Sequence, residues 1–335
     1  MKKELLTMLA SSALFAYSAN AEIVLTEDLS VSGYIDVAVV DGADDVNKAT
    51  NTNSSVAEFE LGFAFTPAES KWSAVAELSF DNNRTFSTSD FEFDDANGDN
   101  RLDTGEKVTV SGEDNNVKFE KVMVTYAYSD ALSFTAGNML TYQGFEAADA
   151  TGLYQFSYQG IGGKAVYSAA YAPGASVDYV TDSYELGWWI GGYESEADAS
   201  YEYYAAYTGV ENLTVKFIYA DDPGYETYNT WASYDYGNFT FAAEYTSTDN
   251  EDSEDDLEVF MALVYYAYGD AGLTLRYSSG EYSDDDFEGD DFTRFTVSPS
   301  YAFSDNVFGL VEYSVDDIKG DGTDTSLAAE LIFSF

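Results

Sequence analysis

Leu327, Ala329, Leu331, Phe333 and Phe335 form one apolar row, while Ser326, Glu330 and Ser334 fall on the opposite face. Successive side chains of a strand point to opposite sides, so the chain ends on a strand with one greasy face and one wet face. The same alternation recurs far upstream. Phe59, Leu61, Phe63 and Phe65 alternate with Glu58 and Glu60, and Trp72, Ala74, Ala76, Leu78 and Phe80 stand opposite Glu77. Leu213, Val215, Phe217 and Tyr219 stand opposite Lys216, and Phe239, Phe241, Ala243 and Tyr245 opposite Glu244. A soluble sandwich alternates too, with its wet face outward. Periodicity alone therefore does not choose between water and hydrocarbon as the neighbour of the greasy rows.

The N-terminal segment bears on that choice. Lys2 and Lys3 precede an apolar stretch from Leu5 to Tyr17, and Ala19-Asn20-Ala21 is an A-x-A cleavage site. Residues 1–21 read as a secretory signal, leaving 22–335 as the exported body. Beyond it the longest purely apolar run is Val259 to Tyr268. A spanning helix needs ~20 such residues. Membrane residence of 22–335 therefore requires a closed barrel, which satisfies every backbone group without water.

Composition excludes several function classes. The 335 residues include 61 Asp+Glu against 14 Lys+Arg, a net charge of -47. Such a chain repels nucleic-acid phosphates and attracts cations. It is not a disordered acidic tail, because aromatic residues make up 17%. With Cys and His both absent, disulfides, thiolate metal sites and the usual hydrolase base are excluded. The expectation is that no reaction is catalysed.

Five segments carry aromatics into a tight polar turn: 126–130, 234–238, 266–270, 301–305 and the looser 204–209. Their tyrosines fit a belt at the headgroup level. The opposite connections, such as 248–256, 283–291 and 316–324, are longer and acidic. Short turns alternating with long loops predict a transmembrane antiparallel β-barrel of sixteen strands, with short periplasmic turns, long outer loops and both termini on the periplasmic side. The predicted strands include 163–171 and 177–191.

The third long loop, 140–162, holds Gly144-Phe145-Glu146, Asp149 and Leu153-Tyr-Gln-Phe-Ser-Tyr158. Aromatics and glycines there predict a loop folded into the lumen, with Glu146 and Asp149 at a negative constriction. A surface loop with its own small cluster is the alternative. Lys121, Lys164, Lys216, Arg276 and Arg294 are the basic candidates for the lumen wall, either as pore-lining charges or as partners of nearby Glu residues.

The runs Phe119-Glu-Lys-Val-Met-Val-Thr-Tyr126, Leu132-Ser-Phe-Thr-Ala-Gly137 and Gly144-Phe-Glu146 resemble the beta-barrel porin-2 family. The strand closing on Phe335 resembles the last strand of Gram-negative outer-membrane barrels, and the barrel size that of the trimeric sixteen-stranded general porins. The resemblance implies an outer-membrane channel, constricted by its third loop, passing small hydrophilic solutes and assembled as a homotrimer. General porins oppose an acidic third loop with an arginine cluster. The five basic candidates here are scattered, which shifts the expectation toward cation selectivity, carried by Glu58, Glu60, Glu77, Glu244, Glu312, Glu330 and the loop carboxylates.

The second long loop carries a different motif. Asp95-Ala-Asn97-Gly-Asp99-Asn-Arg101-Leu-Asp103-Thr-Gly-Glu106 resembles the twelve-residue EF-hand calcium loop. Asp95, Asn97 and Asp99 take the first ligand positions, Arg101 offers its carbonyl, and Asp103 and Glu106 complete the set. Asn100 stands where glycine is usual, and no amphipathic helix flanks the run. A bound Ca²⁺ and a solvated acidic loop both fit. The leading expectation is a cation-preferring porin in contact with outer-membrane lipid; the alternative is a loop-plugged structural or adhesive barrel that binds calcium.

Overall fold

The computed structural model describes residues 22–42, 51–81, 91–93, 108–110, 117–146, 150–157, 160–161, 164–165, 171–192, 199–250, 256–282, 291–319 and 322–335. Sixteen strands and the two-residue strand Ile23–Val24 make one sheet. In chain order they are β1 (Leu29–Gly42), β2 (Asn51–Phe65), β3 (Trp72–Asp81), β4 (Val117–Ala127), β5 (Leu132–Leu140), β6 (Tyr171–Val180), β7 (Tyr184–Gly191) and β8 (Ser200–Val210). They continue as β9 (Leu213–Asp222), β10 (Tyr225–Tyr236), β11 (Phe239–Asn250), β12 (Leu257–Tyr268), β13 (Ala271–Tyr282), β14 (Phe292–Ser304), β15 (Val307–Ile318) and β16 (Gly322–Ser334). Each pairs antiparallel with its chain neighbours, and β16 returns to β1 with Tyr34 opposite Ser334 and Gly42 opposite Ser326. Phe335 completes the seam: its amide donates to the Gly33 carbonyl and its carbonyl accepts from the Gly33 amide, both at 2.9 Å. The sheet has no open edge, as hydrocarbon demands.

Burial is inverted relative to a soluble protein. Asn229 and Thr274 are 0% exposed, whereas Trp72 is 57% and Phe119 65% exposed. Polar side chains line the inside and large apolar ones cover the outside, the arrangement of a barrel in lipid. Aromatic pairs gather at the short-turn end, with Trp72 against Tyr126 and Phe239 against Tyr266, both at 4.7 Å between ring centroids. Tight turns there use left-handed backbone at Asn212, Gly237 and Gly269.

The strand count holds, but four boundaries move. Residues 177–191 are not one strand: Thr181–Ser183 form a turn between β6 and β7, with the Thr181 amide donating to the Tyr184 carbonyl at 2.9 Å. Of the strand expected at 163–171, Tyr171 opens β6 of the wall and pairs with Leu140. Lys164–Ala165 instead pairs with Gly160–Ile161 in a small hairpin separate from the barrel sheet. Lys164 therefore sits off the barrel wall. Asp316 and Asp324, expected in an outer loop, are cross-strand partners of β15 and β16. The looser turn expected at 204–209 falls at Glu211–Asn212.

β4 carries a bulge. Ala76 pairs with Val122 and Leu78 with Phe119, so Glu120 and Lys121 together oppose Glu77. The Asn138 side chain donates to the Glu120 carbonyl at 2.6 Å and the Phe119 carbonyl at 3.3 Å, supplying partners for backbone that the bulge removes from the ladder. Beside it, Gly137 has φ 142°, and a Cβ there would lie 2.0 Å from the Val122 carbonyl oxygen. Gly137→Val is expected to cost ~1–3 kcal/mol in backbone strain alone, before the clash. Refolding into detergent and reading heat-dependent gel mobility should show little folded barrel.

Candidate functional site

The third loop meets the inner wall through its backbone as much as its side chains. Glu202 of β8 accepts from the Tyr142 amide at 2.6 Å and from the Thr141 hydroxyl. Asn229 of β10 accepts from the Gly144 amide at 3.1 Å, and Glu244 of β11 from the Phe145 amide at 3.1 Å. Farther along, Glu312 of β15 accepts from the Ser157 amide at 2.9 Å, and the Thr274 hydroxyl of β13 donates to the Tyr154 carbonyl at 2.6 Å. A loop segment outside any ladder must find partners for its amides. Here inward carboxylates and hydroxyls from successive strands supply them.

Apolar contacts reinforce this. Phe145 packs edge-on against Trp231 at 5.6 Å, and Tyr154 against Tyr265 at 4.8 Å. Tyr142 leans on Tyr204 at 4.5 Å and donates its hydroxyl to Asp178 at 2.6 Å. Burial, followed by the Asp178 charge, pushes the Tyr142 pKa up, so the phenol stays a donor. Lys216 lies beneath this cluster. Its ammonium donates to the Tyr142 carbonyl at 3.2 Å and sits 4.4 Å from the Tyr204 ring centroid.

Glu146 occupies the centre of the docked loop. Its Oε2 lies 2.9 Å from Nη2 of Arg276, its Oε1 accepts from Gln155 at 2.7 Å, and both charged side chains are 3% exposed. Glu146 thus acts as a buried anchor, its charge met by Arg276. Arg294 pairs with Asp316 at 2.8 Å, and Lys121 with Glu77 at 2.5 Å. Asp149 lies outside the described residues.

A different sector of the wall is formed by β16 and β1 to β4. It carries Asp36, Glu58, Glu60, Glu77, Glu120 and Glu330, with Lys121 among them. Glu58 accepts from the Tyr34 hydroxyl at 3.0 Å. Carboxylate oxygens of Glu60, Glu77 and Glu120 lie within 4.8 Å of one another, an acidic cluster whose spacing could chelate a metal ion. Alternation along β4 would send Glu120 outward, next to inward Lys121; the bulge turns both inward. Asp178, Glu202 and Asn229 were also not singled out from the sequence, although each is on the inner row of its strand. The calcium-like run, Asp95, Asn97, Asp99, Arg101, Asp103 and Glu106, lies outside the described residues. The short strands Phe91–Phe93 and Val108–Val110 on either side of it pair antiparallel.

Comparison with known proteins gives a consistent picture. A family model described as Gram-negative porin matches residues 6–321. No curated protein sequence matches the chain. Among solved structures, Salmonella typhi OmpF in complex with daunomycin superposes with a TM-score of 0.67 at 14% identity, covering 94% of this chain and 100% of that one. A loop L8 deletion mutant of OmpT, an outer-membrane protein of Vibrio cholerae, gives 0.65 at 14% identity over 94% and 100%. A triple mutant of the Rhodopseudomonas blastica porin gives 0.59 at 13% identity over 92% and 100%. At such identities the likeness is one of fold.

Proposed function

The chain belongs to the Gram-negative porin family, barrels of the outer membrane, and from that premise we propose that it is a passive diffusion channel for small hydrophilic solutes that prefers cations. A closed antiparallel barrel of this strand number encloses room for an aqueous channel. The single observation favouring cation preference is the sector from β16 to β4, where Asp36, Glu58, Glu60, Glu120 and Glu330 outnumber Lys121. Carboxylates set against low-dielectric walls concentrate counter-ions in the lumen.

In this reading Glu146 and Arg276 hold the third loop, and the acidic sector sets the sign of the field. No catalysis is involved. Residues 1–21 serve as the export signal. The likeness of 119–146 to the porin-2 family supports the narrowing role of the third loop. Assembly as a homotrimer rests on the resemblance to general porins. Calcium at Asp95–Glu106 rests on donor spacing alone.

Reversal potentials across a planar bilayer in a salt gradient, with and without Ca²⁺, test the proposal. A cation-selective potential is expected. Anion preference would overturn the selectivity. Absence of conductance would overturn the channel and favour a plugged barrel.

A further inference from the structure

β4 contains one residue more than its partner strand needs. Val122 opposes Ala76 and Phe119 opposes Leu78, and Phe119 and Val122 are both exposed on the outer row. Two outward residues of a regular strand stand an even number of positions apart. These stand three apart, so one residue between them is extra. Lys121 keeps its place on the inward row, with its ammonium 2.5 Å from Glu77. Glu120 is therefore the extra residue, and alternation does not decide which way its side chain points.

The neighbouring strand supplies what alternation does not. Gly137 brings β5 so close to β4 that a Cβ would not clear the Val122 carbonyl. The next residue, Asn138, donates its side-chain amide to the Glu120 carbonyl at 2.6 Å and the Phe119 carbonyl at 3.3 Å. Those carbonyls belong to the two peptide units that flank the Glu120 Cα. Each unit is a rigid plane, so holding both fixes the φ and ψ of Glu120 and with them the direction of its side chain. The carboxylate then stands within 4.8 Å of those of Glu60 and Glu77.

We propose that Asn138, an uncharged residue on the outer row of β5, is a positioning residue for ion selectivity: by gripping both peptides of Glu120 it holds that carboxylate in the lumen. The inference rests on the cation-preferring channel reading. Like charges side by side on a sheet repel, so Glu60 and Glu77 push Glu120 away from them, and the amide of Asn138 resists that push. Without the amide donors the extra residue turns and its charge leaves the cluster. Lys121 stays where it is, because the alternation of β4 places it.

The chain contains no cysteine, so a single introduced thiol reports facing directly. In the chain refolded in detergent, Glu120→Cys should react readily with a cationic, water-soluble methanethiosulfonate, followed by intact mass. Adding Asn138→Leu, which keeps the side chain's size and removes its donors, should slow that reaction several-fold. Lys121→Cys should react alike with and without Asn138→Leu. Heat-dependent gel mobility identifies the folded variants, and Asn138→Ala should act in the same way if leucine disturbs the fold. In gradients of ~0.01 M salt, Asn138→Leu alone should lower the cation-to-anion permeability ratio about twofold, the worth of one carboxylate at ~10 Å, and should add nothing to Glu120→Gln. Equal reaction at position 120 in both backgrounds, or equal slowing at 120 and 121, overturns the proposal. So does an unchanged permeability ratio, or a further fall when Asn138→Leu is added to Glu120→Gln. A parent protein without cation preference would overturn the selectivity reading itself, while the thiol rates would still decide whether Asn138 holds Glu120.

Discussion

Replacing Arg276 with alanine is expected to release the third loop from the wall and raise single-channel conductance and current noise. The pair it makes with Glu146 is buried, at 3% exposure for each side chain. Removing one partner strands the other carboxylate in a poorly hydrated site, at ~3–5 kcal/mol. That shifts the docking equilibrium by roughly a hundred- to a few-thousand-fold. The barrel itself should survive, because β13 keeps both ladders, to β12 and to β14. Melting of the sheet by circular dichroism should therefore change little while the current changes greatly. Arg276→Ala combined with Glu146→Gln removes both charges and should restore much of the docking, because a neutral amide is far cheaper to bury than a lone carboxylate. Identical currents from the parent and Arg276→Ala would show that the anchors at Glu202, Glu244 and Glu312 suffice without the ion pair.

The sequence carries this architecture unevenly, and the reasons are physical. Inward Glu58, Glu60, Glu77 and Glu244 follow from alternation, because lipid penalises charge on one face and water tolerates it on the other. The pairing of Glu146 with Arg276 spans 130 positions, and no local pattern encodes so distant a contact. The Glu120 carboxylate was missed for a different reason: a one-residue bulge reverses facing within β4, and only the partner strand reveals it. The division of 177–191 was missed because Thr181-Asp182-Ser183 makes its turn without glycine. Acidity also misled. Asp316 and Asp324 read as loop residues, yet strands continue beyond the hydrocarbon where water solvates them, and there a charged residue is no bar to pairing. Tyr142, Tyr204, Trp231 and Lys216 form one cluster only once the third loop reaches the wall.

Neutralising the acidic sector tests what that wall does to ions. Glu58→Gln, Glu60→Gln and Glu120→Gln together remove three charges while keeping acceptors for neighbours such as the Tyr34 hydroxyl. At ~10 Å in water-like permittivity, one carboxylate attracts a monovalent cation by ~0.4 kcal/mol. Three supply ~1.2 kcal/mol, about a sevenfold enrichment in cation occupancy before screening. In ~0.01 M salt the Debye length of ~30 Å leaves most of that intact, whereas in ~1 M salt a length of ~3 Å removes nearly all of it. The triple variant should therefore lose most of its cation-selective potential in dilute gradients and differ little from the parent in concentrated ones. Lys121→Gln works in the opposite direction. It exposes Glu77, now 2.5 Å from the ammonium, and should raise cation preference under the same dilute conditions. Opposite signs at neighbouring positions are hard to obtain from a general change in pore width, which would alter conductance without reversing selectivity. A potential unmoved by either change at low salt would mean that ions do not pass along this sector.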